Sequence, residues 1–255
     1  MTEPTGLRAR MLAGERLAGT FMKTPSHVAL EVLILSGLDF VCLDAEHAPF
    51  DRAATDACMA VARAAGFPVL VRVGAGTPAE ILNVLDLGAT GIVVPHVDSA
   101  AKAAAIAKAA RFGHGGRGYA GSTRWAGYAT RGMDELLARS PAETLVIPQI
   151  EEPAGVDAAD EIAAIDGIDA LFVGPADLSV SYGHRSTDNP DLAAAMDRVG
   201  AAARDAGKGY VTWVPDADAA ARWARHGFNA FVVASEHAWM LDGARSTVAG
   251  LRALS

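Results

Sequence analysis

Polar side chains able to transfer protons and bind anions end two neighbouring apolar runs of this sequence. The run FVCLDAEH (40–47) ends in Asp44, Glu46 and His47, and the next run, VLVRVG (69–74), contains Arg72. A neutral imidazole beside acids can act as a general base near pH 7, although a histidine that only hydrogen-bonds a loop would give the same pattern. A guanidinium inside an apolar strand needs a partner, either an internal carboxylate or a substrate oxyanion.

Two carboxylates further along the chain have the character of a site for a hard cation. Glu151 ends the run TLVIPQIEE (144–152), and Asp177 lies near the end of ALFVGPADL (170–178). Neither has a histidine or cysteine companion, and a set of oxygen ligands suits Mg²⁺ or Mn²⁺ better than a closed zinc site. The alternative is that one carboxylate caps a helix and the other pairs with a surface arginine.

The spacing of these residues predicts that they meet in space. His47 and Arg72 are 25 residues apart, and Glu151 and Asp177 are 26 residues apart. Each interval is about one strand–helix unit, so each pair should lie on adjacent strands. In a barrel of such units, catalytic groups gather at the C-terminal ends of the strands, and we expect both pairs there.

Eight short apolar runs alternate with longer alanine-rich stretches of helical period, which is typical of a parallel α/β fold. The chain has 255 residues, enough for one (β/α)₈ TIM barrel. An open doubly wound sheet is the competing topology, but it usually stops near six strands. We therefore predict a single barrel domain over 1–255. The predicted strands are 17–22, 40–46, 69–74, 91–97, 144–152, 170–178, 209–214 and 230–236.

The composition of the chain argues against several classes of protein and of binding partner. The chain is 51% hydrophobic and carries a net charge of −8, which excludes a disordered protein and gives none of the basic surplus of a nucleic-acid or anionic-lipid binder. Two cysteines give no disulfide framework, and no apolar run is long enough to span a membrane. The first residues include Glu3 and Glu15 without a sustained apolar stretch, so we expect no signal peptide and a cytoplasmic protein.

Several remaining features are given structural interpretations. The glycine-rich HGGRG (114–118) follows a predicted helix and lacks the spacing of a phosphate-binding loop. It opens a long segment before the fifth strand, of the kind that serves as a lid or an interface arm. The other histidines have no metal-ligand spacing, and we interpret each as structural; those considered are His96, His114, His184, His226 and His237.

Taken together, the motifs resemble the HpcH/HpaI family of class II pyruvate aldolases over residues 17–240. The resemblance rests on GLDFVCLDAEH (37–47), LVRV (70–73), LDLGATGIVVPHVDSAAKA (85–103), the long stretch PQIEEPAGVDAADEIAAIDGIDALFVGPADLS (148–179) and the GK-x-Y-V-T of 207–212. It implies a TIM barrel of the phosphoenolpyruvate/pyruvate type that depends on a divalent metal. It also implies a homohexamer in which a C-terminal helix, at about 237–252, is exchanged between subunits.

The resemblance implies roles for individual residues. His47 matches the family's general base, and Asp86 matches the acid that raises its basicity, with Asp44 as the alternative nearer in sequence. Arg72 matches the arginine that stabilises the enolate oxygen. The metal ligands fall on Glu151 and Asp177, and the pyruvyl group is expected to contact Gln149, Gly174, Ala176 and Asp177.

The sequence departs from the family pattern where the aldehyde should bind. The family's RYPP-type turn is replaced by RFGHGGRG (111–118), and the eighth strand ends in Ser235-Glu236-His237 where an S-D-type ending is usual. The seventh strand ends in Thr212 and Trp213. We expect these segments to shape the aldehyde side of the pocket, with Trp213 limiting its size.

These features predict a carbon–carbon lyase that cleaves a 4-hydroxy-2-oxo acid to pyruvate, or hydroxypyruvate, plus an aldehyde, or runs the addition in reverse. A chelated Mg²⁺, Mn²⁺ or Co²⁺ would accept the developing negative charge. No lysine lies at a predicted strand end, which favours this metal route over an imine route. The rival interpretations are an acyl-CoA lyase of the malyl- or citramalyl-CoA type and a barrel that binds 2-oxo acids or metal without catalysis.

Overall fold

Eight parallel strands form a closed barrel in the computed structural model of the chain, which describes residues 6–254. Each strand pairs with the next along the chain, and β1 pairs with β8 to close the ring. The (β/α)₈ TIM-type prediction is thus confirmed, and the open doubly wound alternative is excluded. Residues 1–5 and 255 of the predicted domain lie outside the described residues. The strands are β1 (Leu17–Met22), β2 (Phe40–Asp44), β3 (Val69–Arg72), β4 (Gly91–Val94), β5 (Leu145–Ile150), β6 (Ala170–Val173), β7 (Gly209–Val214) and β8 (Ala230–Ser235).

Helices fill the connections and cover the outside of the barrel. They are α1 (Leu7–Leu12), α2 (His27–Ile34), α3 (Arg52–Ala65), α4 (Pro78–Leu87), α5 (Ala100–Ala110), α6 (Met133–Glu143), α7 (Pro153–Asp157), α8 (Ala159–Ala163), α9 (Pro175–Ser181), α10 (Pro190–Asp205), α11 (Ala217–Trp223) and α12 (Glu236–Arg252). A 3₁₀ turn, Ala224–His226, follows α11.

Local sequence explains where these helices begin and end. At the start of α4, Thr77 accepts a hydrogen bond from the Glu80 backbone while the Glu80 carboxylate accepts one from the Thr77 backbone, a reciprocal capping box. The same helix ends at Gly88, whose φ of 108° is in the left-handed region that glycine adopts at little cost. Side-chain caps also begin α2, α3, α10 and α11.

The alternation of side chains along each strand sorts them into two layers. Phe40 and Cys42 of β2 belong to the core inside the barrel, whereas Val41 and Leu43 pack outward against the helices. Because every second side chain of a strand lies on the same face, the polar residues at the strand ends are sorted in the same way. This periodicity decides which of them can reach the inside of the barrel.

The chain ends in the 17-residue helix α12, which lies mostly exposed. Its exposed apolar side chains include Met240, Leu241, Val248 and Leu251. Among the described residues, no helix combines the length and apolar character needed to cross a membrane.

Candidate active site

A cavity of about 480 Å³, which we call the mouth cavity, opens at the C-terminal ends of the strands. Larger cavities of about 800 and 720 Å³ lie near the opposite ends of the strands, and none of the predicted site residues lines them. The structure brings seven predicted site residues to the mouth cavity from five different strand ends: His47, Arg72, Gln149, Gly174, Ala176, Asp177 and Trp213.

Arg72 and Asp44 form a buried ion pair on the floor of the mouth. Arg72 lies two positions after Leu70 on β3, and Asp44 lies two positions after Cys42 on β2. Because Leu70 and Cys42 face the inside of the barrel, the Arg72 and Asp44 side chains are directed there as well. Arg72 Nε donates to Asp44 Oδ1 at 3.1 Å and Nη2 donates to Oδ2 at 2.8 Å. The partner that the sequence required of Arg72 is therefore a carboxylate of the protein, in a two-pronged geometry.

The surroundings hold Asp44 in its charged form. Burial alone would raise the pKa of this fully buried carboxylate. The charge of Arg72, the His47 backbone N–H at 3.1 Å and the Lys23 ammonium at 3.2 Å outweigh that effect and lower the pKa of Asp44 below its ordinary value. Asp44 therefore fixes both Arg72 and the loop that carries His47.

His47 projects into solvent-accessible space beside these groups. Its side chain is 57% exposed, and its Nε2 lies 3.6 Å from Glu46 Oε2. Burial raises the pKa of Glu46, with the charge of Arg72 opposing the rise. An accessible imidazole next to a carboxylate has the geometry required of a general base.

Glu151 lies deeper, held by contacts that orient its carboxylate. It is 3% exposed, accepts a hydrogen bond from the His96 backbone N–H at 2.7 Å and is bonded by the Gln149 amide. Gly174 lies directly against it, since a Cβ at that position would fall 2.9 Å from Glu151 Oε2. A glycine is therefore needed there for the carboxylate to keep its place.

Glu46, His96 and Glu151 offer ligand atoms that all lie within 4.8 Å of one another, close enough for one cation to bridge them. Two buried oxygens nearby accept no hydrogen bond among the described residues: Gln149 Oε1, and Glu46 Oε2, which has an ion pair with Arg72 Nε at 3.2 Å. Unsatisfied buried oxygens and a carboxylate-rich donor set fit a hard divalent cation. His96, which the sequence analysis interprets as structural, lies in this cluster with a left-handed φ of 55°, and a role as a ligand is untested.

Asp177, the second predicted metal ligand, lies at the start of α9 and lines the mouth cavity. It is exposed, and its carboxylate accepts no hydrogen bond from residues 6–254. It is not a member of the three-residue cluster. Its role as a ligand with Glu151 remains a prediction.

The comparison with known proteins agrees with this geometry. The family described as HpcH/HpaI aldolase/citrate lyase matches residues 17–242. The chain belongs to this family. It is 32% identical to a hydroxypyruvate/pyruvate aldolase of Paraburkholderia phytofirmans over 96% of this chain and 97% of that protein. It is also 32% identical to a 5-keto-4-deoxy-D-glucarate aldolase of Klebsiella pneumoniae, over 80% of each chain.

Solved structures give the same result. A HpcH/HpaI aldolase/citrate lyase family protein from Burkholderia cenocepacia superimposes with a TM-score of 0.91 at 34% identity, covering 97% of this chain and 99% of that one. The HpcH/HpaI aldolase of Desulfitobacterium hafniense gives a TM-score of 0.92 at 26% identity, covering 99% and 98%. The chain is thus an HpcH/HpaI family barrel over nearly its whole length.

Two predicted site residues of this HpcH/HpaI barrel lie away from the mouth. Asp86 lies on the outer helix α4, where its carboxylate accepts a hydrogen bond from the buried Arg117 at 2.5 Å. Thr212 alternates with Trp213 along β7 and therefore faces the helices, donating its hydroxyl proton to the Val173 carbonyl at 3.0 Å. Within the described chain, Asp44 accepts a hydrogen bond from the His47 backbone N–H at 3.1 Å, and Glu46 is the acid beside the His47 imidazole, at 3.6 Å.

One charged residue that lines the mouth cavity was not predicted from the sequence. Lys23 directly follows β1 and lines the mouth cavity, so the statement that no lysine lies at a strand end is corrected. Glu236, at the first position of α12, accepts hydrogen bonds from the Lys23 backbone N–H at 2.9 and 3.0 Å and from the Thr24 backbone N–H at 2.6 Å. The position of this lysine one residue after a predicted strand is the sequence feature that could have indicated it.

Proposed function

We propose that this HpcH/HpaI family barrel is a divalent-metal-dependent class II aldolase. It cleaves a 4-hydroxy-2-oxo acid to pyruvate, or hydroxypyruvate, plus an aldehyde, and forms the same bond in reverse. The observation that supports this most directly is the convergence of His47, Arg72 and Asp177 on one cavity, with the Glu151 carboxylate buried behind it against Gln149 and Gly174. The names of the aldolase relatives agree with this class of reaction.

His47 is the proposed base for the 4-hydroxyl proton. Its imidazole is exposed to the cavity, and the backbone of its loop is anchored by the hydrogen bond to Asp44. Removal of that proton starts the cleavage, and return of a proton to the leaving enolate completes it. In the addition direction the same imidazole gives the proton back to the new alkoxide.

Arg72 is the proposed donor to the oxygen that becomes negative as pyruvate leaves. Its guanidinium is held by Asp44, so it is oriented before substrate arrives and needs no rearrangement during the reaction. Gln149 and the backbone around Gly174 and Ala176 border the same part of the cavity and would hold the 2-oxo acid.

Glu151, with Asp177 or with Glu46 and His96, would hold the divalent cation. When bound, a cation such as Mg²⁺, Mn²⁺ or Co²⁺ supplies a Lewis acid for the charge that develops on the 2-oxo acid. Lys23 does not favour an imine route, because its ammonium is paired with the buried Asp44 at 3.2 Å, whereas imine formation needs a neutral amine.

A release assay tests the proposal. Pyruvate release would be followed over a panel of 4-hydroxy-2-oxo acids with metal-free protein and after return of Mg²⁺, Mn²⁺ or Co²⁺. We expect turnover only with metal, and no mass adduct on Lys23 after borohydride treatment with pyruvate. Turnover by metal-free protein, or a borohydride adduct, would overturn the metal route. Cleavage of malyl- or citramalyl-CoA alone would favour the acyl-CoA lyase, and binding of pyruvate without any cleavage would favour the non-catalytic barrel.

We further propose that α12 packs against another copy of this chain, as the resemblance to hexameric aldolases suggests. Exposed apolar side chains such as Met240, Leu241 and Leu251 are costly in water, and a neighbouring subunit would cover them. Light scattering of the purified protein tests this. A monomer at micromolar concentration would contradict it.

A further inference from the structure

Lys23 occupies a fixed position at the rim of the mouth cavity. The carboxylate of Glu236 is only 4% exposed and accepts backbone hydrogen bonds from both Lys23 and Thr24. Hydrogen bonds to a buried charged acceptor are strong, so they anchor the chain where it leaves β1. The Lys23 ammonium then lies 3.2 Å from Asp44 Oδ2, with its side chain 33% exposed.

The charges that face the mouth cavity are distributed unevenly. Asp44, Glu46 and Glu151 are at most 10% exposed and do not line the cavity. Arg72, Asp177 and Lys23 do line it, the first two from β3 and α9. On the opposite side, formed by the described residues of β1, β7, β8 and α12, Lys23 is the only charged side chain that lines the cavity.

Apart from the Ser235 hydroxyl, the rest of this opposite side offers little to an anion. Trp213, Pro215 and Ala238 present mainly apolar surface, and the Trp213 indole N–H is already donated to the Ala234 carbonyl at 3.1 Å. A carboxylate placed against such a surface without a partner would lose hydration and gain nothing in return. An ammonium has three N–H donors, and the contact with Asp44 accounts for one of those of Lys23.

We propose that Lys23 determines specificity by binding a carboxylate on the aldehyde fragment of the substrate. The inference rests on the proposed aldolase function. The 2-oxo acid is bound on the side of Arg72, Gln149 and Gly174, and the aldehyde lies on the side of Trp213 and Lys23. An aldehyde with a carboxylate gains a charge-assisted contact there that a neutral aldehyde of the same size lacks.

The test compares glyoxylate with glycolaldehyde as acceptors for pyruvate in the Mn²⁺-loaded enzyme. Both are two-carbon aldehydes, and they differ in carrying a carboxylate or a hydroxymethyl group. In Lys23→Met, the ratio of kcat/KM for glyoxylate to that for glycolaldehyde should fall about tenfold, or ~1.4 kcal/mol, mainly through KM for glyoxylate. Lys23→Arg keeps the charge and should restore part of the ratio. The matched control is Lys108→Met, an exposed lysine of α5 outside the mouth cavity, which should leave the ratio unchanged.

The outcomes separate the inference from the proposed function. If wild-type protein adds pyruvate to both aldehydes and Lys23→Met leaves the ratio unchanged, the role of Lys23 is refuted while the aldolase assignment stands. If wild-type protein uses no aldehyde at all, the aldolase assignment itself fails. Should Lys23→Met not fold, as judged by circular dichroism, Lys23→Gln decides in its place, because it keeps a polar side chain of similar length without the charge.

Discussion

Replacement of Arg72 by lysine separates the catalytic role of the arginine from its structural one. The change keeps the positive charge but removes the planar fork, so only one of the two hydrogen bonds to Asp44 can form. It also removes the guanidinium that lies 4.3 Å over the Phe21 ring. Because Asp44 is fully buried, it cannot replace the lost hydrogen bond with water.

Two magnitudes follow from this geometry. A lost hydrogen bond between charged, buried partners is worth ~1.5–3 kcal/mol, so the free energy of unfolding should fall by about 2 kcal/mol. Loss of an oriented donor to a developing oxyanion typically costs ~10²–10³ in kcat. The two effects are measured separately, the first by urea denaturation and the second by release of pyruvate with saturating metal.

Arg198→Lys provides the matched control. Arg198 also forms a two-pronged pair, with Asp160 at 2.7 Å for both contacts, but this pair is exposed on the helices. Such an exposed pair contributes little to stability, and the control should cleave substrate at the wild-type rate. If Arg72→Lys loses stability as expected yet keeps kcat within about threefold of wild type, far less than the loss of an oxyanion donor, then Arg72 only balances the charge of Asp44.

Four further predictions follow from the same geometry. His47→Asn should lower kcat for cleavage by ~10²–10⁴ while calorimetry finds Mn²⁺ binding unchanged, and a variant of full rate would rule out His47 as the base. Glu151→Gln should weaken Mn²⁺ binding by roughly tenfold or more, and an unchanged Kd would exclude Glu151 as a ligand. Trp213→Ala should raise kcat/KM for bulky aldehydes relative to small ones, and an unchanged ratio would show that Trp213 does not limit their size. The fold lowers the pKa of Asp44 below its value in the unfolded chain, so Asp44 stabilises the folded protein at any pH above that unfolded pKa. This contribution is lost as the pH falls through the folded pKa. Urea midpoints should therefore decline below ~pH 4, and less steeply in Asp44→Asn.

The sequence was sufficient to predict the barrel and most of its mouth. All eight predicted strands form, because each is an apolar run bounded by capping residues and glycines. Six of them end earlier than predicted: β6, for instance, stops at Val173, and the following Pro175 begins α9. Proline at the first position of a helix explains this boundary, and it leaves Asp177 on the helix rather than on the strand.

The positions of three residues in the structure have physical causes that the sequence analysis did not resolve. Thr212 and Trp213 are consecutive in β7, so they cannot both face the barrel interior, and the period of two already favoured only one of them. Asp86 was assigned through resemblance; its helix lies on the outer layer of this chain, and its role stays a prediction. His96 could not be found from spacing, because it lies outside the strands and its own positive φ directs it towards the Glu46 and Glu151 carboxylates.

Closure of the barrel is what joins the two halves of the proposed site. Lys23 and Glu236 are 213 residues apart, and they meet only because β8 pairs with β1. The base and the arginine, by contrast, lie on neighbouring units early in the chain. A sequence pattern can therefore indicate the base, the arginine and the carboxylates one strand at a time. The aldehyde side of the cavity, in contrast, forms only when β8 pairs with β1. This explains why the residue proposed to choose the aldehyde was the one that strand-by-strand interpretation overlooked.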